Sequence, residues 1–210
     1  MRIPWFKKKI TGYEEYEYWN SRPHPNDTSQ PMETMYKHIE YMRDKLSDAE
    51  KILDFGPGIG RTFAAYGPGH IIEGCDISTK YRKSVKKKSA ALGLDFNFRH
   101  LKMNDLIMLP YKERYFDAAV ASQVLLHTKP EKIIGIMEEL CRVASKVIVV
   151  SLMDSSAAYD VPGSTDYDRN KHIFNYNYPQ ICLSKGWPYS GEERWAEDQV
   201  MFCYKAARGK

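Results

Sequence analysis

KILDFGPGIGR, residues 51–61, joins a short apolar run to three glycines set at every second position. Ile52, Leu53 and Phe55 read as a buried strand, Gly56, Gly58 and Gly60 as a tight turn, and Arg61 to Tyr66 as the start of a helix. Glycine suits such a turn because its backbone takes positive φ freely and because a ligand can approach where a Cβ would otherwise stand. A strand, a glycine turn and a helix start together point to a nucleotide-like ligand lying over the turn. Glycines also cluster in ordinary loops, so the flanking sequence has to decide between the two.

Toward the C-terminus, Gly67 to Gly69 form a break, and HIIEGCD follows as a second apolar strand ending at Asp76. Asp76 stands 22 positions after Asp54, near the spacing of about 20 at which a βαβ unit presents an acid to a ribose. A carboxylate accepts hydrogen bonds from both ribose hydroxyls. The plainer alternative is a helix cap, since Ser78 and Thr79 follow. The next helix, TKYRKSVKKKSAAL, has six basic residues in positions 80–88 and a thin apolar stripe of Tyr81, Val85 and Leu92. It reads first as a solvated helix face and second as the surface for a nucleic-acid contact, if the protein makes one.

LDFNFRHL (94–101) alternates as a third strand, YFDAAVAS (115–122) is apolar enough to be a central fourth, and KVIVVSL (146–152) is a fifth. Thr128 with Pro130 and Glu131 resembles a capping box for a helix whose Ile133, Ile134, Met137, Leu140 and Cys141 keep helical spacing. DQVMFCYKAA near the C-terminus reads as a last, antiparallel strand. Strands alternating with helices predict an α/β fold with a mostly parallel sheet covered on both faces and ligands at the strand carboxyl ends.

Toward the N-terminus, Met32, Met35, Ile39, Met42 and Leu46 form the apolar stripe of an amphipathic helix with Pro31 in its first turn. Residues 1–30 are different in kind: Trp5, Phe6, Tyr13, Tyr16, Tyr18 and Trp19 alternate with charges, and SRPHPND breaks any helix. They read as an arm or lid whose rings pack on the single domain of residues 31–210. The chain has 210 residues with 43% hydrophobic content, sufficient for one substantial core. A net charge of +4 demands no polyanionic partner. Four scattered cysteines suggest reduced thiols in a cytoplasmic setting, and no run of about 18 apolar residues suggests a membrane span. MRIPWFKKKI lacks the apolar segment of a secretion signal, so the protein is expected to be soluble and not secreted.

ILDFGPGIGR, GCDIS, NDLIMLPYKERYFD and AVASQVLLH, in that order, resemble the successive motifs of the class I S-adenosylmethionine-dependent methyltransferases, the small-molecule branch in particular. The similarity covers residues 40–152 and includes the placing of Asp105 five residues before Pro110, with Phe116 and Asp117 beyond. It implies a doubly wound, Rossmann-like fold with a mostly parallel seven-stranded sheet, helices on both faces and the last strand antiparallel. It also implies S-adenosyl-L-methionine as cofactor and S-adenosyl-L-homocysteine as product. By resemblance, Gly56, Gly58 and Gly60 face the methionine and ribose, Asp54 helps hold the amino group, and Asp76 binds the ribose. Asp105 and Leu106 flank the adenine, Ser122 and Gln123 sit near the sulfonium, and His127 ends the fourth motif. Phe55, Pro57, Ile77 and Asn104 complete the cofactor-binding set. Two departures stand out: Pro57 replaces the usual cysteine or glycine, and CRVASKVIVV lacks the lysine-proline-glycine-glycine turn before the fifth strand.

Residues 153–190 read as a substrate-side loop and insertion at the carboxyl end of the fifth strand. HIFNYNYPQICLSKGW resembles the family's substrate-side segment, which assigns His172, Phe174, Tyr176 and Tyr178 to an acceptor pocket that Tyr18 and Trp19 of the arm would cover. An alcohol or phenol acceptor needs a base of near-neutral pKa, for which His172 is the first candidate and His127 the second, with Asp154 as orienting carboxylate. Asp154, Asp160, Asp166 and Asp168 fit a solvated loop better than a cation site, so no metal is expected. The function expected is methyl transfer to a small molecule or sugar unit, at a hydroxyl oxygen. The alternatives are an RNA or protein methyltransferase docking through residues 80–88, and a non-catalytic S-adenosylmethionine-binding module. ASQV lacks the Asn-Pro-Pro-Tyr type of motif associated with base amines. A monomer or homodimer is expected.

Overall fold

Valine, isoleucine and alanine fill the middle strands of the sheet because those strands are covered on both faces. The computed structural model describes residues 15–21, 32–102, 108–152, 173–196 and 199–205. Its strands are β1 (Lys51–Phe55), β2 (Ile71–Asp76), β3 (Asp95–His100), β4 (Phe116–Ser122), β5 (Ala144–Leu152), β6 (Tyr189–Ala196) and β7 (Gln199–Lys205). They form one seven-stranded sheet in the order β3-β2-β1-β4-β5-β7-β6. β1 to β5 pair in parallel, and β7 lies antiparallel between β5 and β6. This is the doubly wound arrangement expected, with the last strand reversed. The 153–190 insertion reaches into β6, whose YSGEERWA has no apolar run to announce a strand.

The helices are α1 (Glu15–Ser21), α2 (Met32–Lys45), α3 (Arg82–Ala91), α4 (Pro130–Val143) and α5 (Tyr178–Ser184). Strand alternation sorts the core into two layers. Leu53, Ala119, Ala121, Val147 and Val149 join the α4 and α5 side with Ile133, Met137, Leu140 and Ile181. Ile52, Ala118, Val120, Ile148 and Val150 join the other side with Ile39 and Met42 of α2, Leu46 just after it, and Val85 of α3. All four cysteines are buried. Among the described residues, no helix is long and apolar enough to cross a membrane.

Local structure differs from expectation in four places. Arg61–Ala65 is a short 3-10 turn, not an α-helix, because the Gly67 to Gly69 break comes too soon for a longer one. The capping box does not form: Lys129 occupies the cap position of α4 in extended conformation with no side-chain cap, and the Thr128 carbonyl instead accepts the Tyr176 hydroxyl. Leu92 is 51% exposed because it lies past the last turn of α3, outside the apolar stripe. Residues 15–21 are helical and packed, where the sequence suggested an arm with little periodicity. The missing turn before β5 is real, since α4 ends at Val143 and β5 begins at Ala144.

Gly74 in β2 sits where packing leaves no room for a side chain: a Cβ there would lie 2.5 Å from the Phe96 ring and 3.2 Å from Pro57 Cγ. Gly74→Ala should lower stability by about 1–3 kcal/mol through overpacking, read as a lower denaturant midpoint with unchanged slope. An unchanged midpoint would contradict this packing.

Candidate cofactor cleft

β1 and β4 are neighbours from which the strand order runs outward in both directions, and the crevice beyond their carboxyl ends is where such sheets bind ligands. The turn leaving β1 needs glycine for measured reasons. Gly56, Gly58 and Gly60 have φ of 74°, 52° and 76°. A Cβ on Gly56 would also stand 2.5 Å from Val124 Cγ2. The Gly56 amide donates to the Cys75 carbonyl at 2.8 Å, and the Gly60 amide to the Pro57 carbonyl at 2.7 Å, so the turn is fastened to β2 and to itself.

Asp76 ends β2 beside this turn. Its carboxylate accepts from the Ser78 amide at 2.8 Å and from the Gly58 amide at 3.3 Å. Burial pushes its pKa up, while these amides favour the charged form. The group sits deep among neighbours yet keeps some contact with the cleft, which Phe55, Gly56, Asp76, Ile77, Val124 and His127 help to line. The cleft is open on one side, with about 450 Å³ of empty space counted out to its mouth.

α1 lies across one side. The Trp19 ring meets the His127 ring edge-on at 4.7 Å, and the Ser78 hydroxyl lies 3.3 Å from both the Trp19 carbonyl and Asn20 Oδ1. The helix thus ties the loop after β2 to the 3-10 turn Leu125–His127 after β4. Tyr18 packs against the core on the α4 side.

Asp54 points the other way, toward α2, because it follows Leu53 and precedes Phe55 in the strand alternation. It is 1% exposed and does not line the cleft. Thr62 Oγ donates to its Oδ2 at 2.9 Å. Burial raises its pKa to about 6, opposed by the Tyr66 and Thr62 hydroxyls. The Tyr66 hydroxyl acts from nearby without a hydrogen bond of good geometry.

Ser122 is the last residue of β4, and Gln123 follows with φ of 54°, strained for a side chain of this size. The Gln123 amide nitrogen Nε2 is buried with no hydrogen-bond partner among the described residues. Strain and an unused donor coincide at the switch point. Phe174 and Tyr176, expected in the acceptor pocket, are fully buried in the core. The Phe174 amide donates to the Leu126 carbonyl at 2.7 Å and the Tyr176 hydroxyl to the Thr128 carbonyl, so both brace the turn that carries His127. Tyr178, likewise buried, exchanges a hydrogen bond with Ser151 at 2.8 Å. Asn104, Asp105, Leu106, His172 and Asp154 lie outside the described residues. Cys75, Leu101, Val124, Thr128 and Ile136 also line the cleft, and only their neighbourhood to the motifs marked them in sequence.

Residues 53–147 match the family model described as a methyltransferase domain. No curated protein matches the chain by sequence. Among solved structures, a protein of Pyrococcus horikoshii OT3 is similar at a TM-score of 0.66 with 15% identity, covering 93% of this chain and 100% of that one. The magnesium protoporphyrin IX methyltransferase of Synechocystis PCC 6803, crystallised with S-adenosylhomocysteine, gives 0.66 with 15% identity over 91% and 98%. The 1,6-didemethyltoxoflavin-N1-methyltransferase of Burkholderia thailandensis, crystallised with that acceptor and S-adenosylhomocysteine, gives 0.64 with 14% identity over 83% and 78%. Residues 53–147 thus resemble a methyltransferase domain, and the solved structures share the chain's overall fold.

A carboxyl whose pKa rises on folding holds its proton more tightly when folded, so its contribution to stability falls as pH rises from about 4 to about 6. Asp54→Asn should therefore be more stable than the parent above pH 6, by about 1–3 kcal/mol, with the difference shrinking toward pH 4. Thermal unfolding across that range checks this, and a pH-independent difference would contradict it.

Proposed function

We propose that the protein transfers a methyl group from S-adenosylmethionine to a hydroxyl oxygen of a small molecule or sugar unit. The observation that carries the cofactor half is the Asp76 carboxylate, pinned by the Gly58 and Ser78 amides at the rim of a turn where Gly56 admits no Cβ. A carboxylate at a strand end beside a glycine turn fits a ribose with two hydroxyls to donate. The small-molecule half is supported by neighbours named for methylating magnesium protoporphyrin IX and a toxoflavin precursor.

When bound, the cofactor supplies an electrophilic methyl on a cationic sulfonium. The chain's task is then to hold, orient and deprotonate. Asp76 would accept the ribose hydroxyls and the glycine turn would leave room for the methionine portion, with Asn104, Asp105 and Leu106 at the adenine. Phe55, Pro57 and Ile77 would border this path. Asp54, held by Thr62 on the far side of β1, would act on the turn through the backbone. Trp19 on α1 would close the cleft over His127, with Tyr18 behind it. Ser122 and Gln123 would face the reacting end, where the free Gln123 donor suits an acceptor oxygen. Orientation alone contributes on the order of 7–11 kcal/mol to such a step. His172 is the first choice for removing the acceptor's proton, His127 the second, and Asp154 the orienting carboxylate.

Incubation with methyl-labelled cofactor and a panel of hydroxylated small molecules and sugars tests this reading. Label should reach at least one panel member, and His172→Ala should cut that turnover about 10²-fold or more while leaving S-adenosylhomocysteine affinity intact. Label appearing only in RNA or protein would contradict the small-molecule acceptor. A fully active His172→Ala would reject it as base.

A further inference from the structure

Between Asp76 and Asp95 the chain contains no acidic residue and six basic ones, Lys80, Arg82, Lys83, Lys86, Lys87 and Lys88. The last five lie on α3, whose Val85 and Ser89 face the core. Arg82, Lys83, Lys86 and Lys87 are exposed and Lys88 is partly so. Arg82 rests over the Phe98 ring at 5.9 Å. None of the five pairs with an acidic side chain among the described residues.

This arrangement works against the helix. Arg82 with Lys86, and Lys83 with Lys87, are like charges one turn apart. Arg82 and Lys83 also sit in the first turn, at the positive end of the helix dipole, where no acid offsets them. α4 shows the ordinary alternative, with Glu131, Glu138 and Glu139 interspersed among Lys132 and Arg142. A helix that only met water would gain stability from such mixing.

We propose that the exposed face of α3 docks the protein onto an anionic lipid bilayer. The unopposed cations match a plane of negative headgroups, to which juxtamembrane basic clusters are drawn. Nucleic acid fits less well: Tyr81, the aromatic at the start of the helix, is buried, so the exposed face offers no ring for stacking bases. A convex helix surface is also not a groove for a strand. Leu92, half exposed at the C-terminal end of α3, adds an apolar contact at headgroup depth. The loop that leads into α3 borders the cleft, since Ile77 lines it and Ser78 touches α1.

Cosedimentation of the full chain with phosphatidylcholine vesicles, with and without about 30% phosphatidylglycerol, tests the proposal. Binding should require the anionic lipid, weaken steeply between about 0.1 M and about 0.5 M salt, and fall about tenfold or more in the Lys83→Glu, Lys86→Glu, Lys87→Glu triple variant. The matching triple glutamine variant should bind at an intermediate level, and both variants should keep the parent's thermal shift with S-adenosylhomocysteine. Equal sedimentation of parent and charge-reversed variant, or no binding to anionic vesicles, would overturn the proposal. Variant-sensitive binding to duplex RNA without vesicle binding would assign α3 to nucleic acid instead.

Discussion

One carboxylate joins the two halves of the cleft. Asp76 takes the Gly58 amide from the turn after β1 and the Ser78 amide from the loop after β2, so two loops on adjacent strands share one anion. Hydrogen bonds to a charged acceptor are about twice as strong as neutral ones, and here they fix the orientation of the group they stabilise. The glycine turn could not come this close with side chains on it, since Gly56 already faces Val124 across the crevice. Ser78 extends the same link outward to Trp19 and Asn20, so α1 inherits its position from the Asp76 loop.

The two acids of the glycine region divide their work by strand alternation. Asp76 reaches the cleft, while Asp54 lies beneath β1 with Thr62, on the α2 side. Burial pushes the Asp54 carboxyl up to about 6. It holds the 3-10 turn in place from behind.

Much of this was legible in the sequence. Apolar runs of five to nine residues separated by helical patterns gave the sheet, because buried parallel strands must be apolar on both faces. The places of the glycines, Asp76 and His127 around the cleft were legible because they follow from fixed positions at the strand ends. What depended on tertiary context was not. Phe174 and Tyr176 look the same in sequence whether they line a pocket or fill a core, and here they fill the core. Asp54 was read as a ligand-holding acid, and only the register of β1 shows which way it points. The positive φ of Gln123 has no signal in the residue itself, and α1 was hidden because Trp19 meets the cleft while Tyr18 packs on the core, so the two share no stripe.

Calorimetric titration of S-adenosylhomocysteine into the parent and into Asp76→Asn tests the central claim most directly. The variant keeps one oxygen, enough for the Ser78 amide, and puts an amide NH2 donor where the parent's second oxygen accepts the Gly58 amide and would accept a ribose hydroxyl. The account predicts one site per chain in the parent and an affinity lower by about a hundredfold or more in the variant, about 2.7 kcal/mol. Equal affinities, or no binding to the parent, would contradict it.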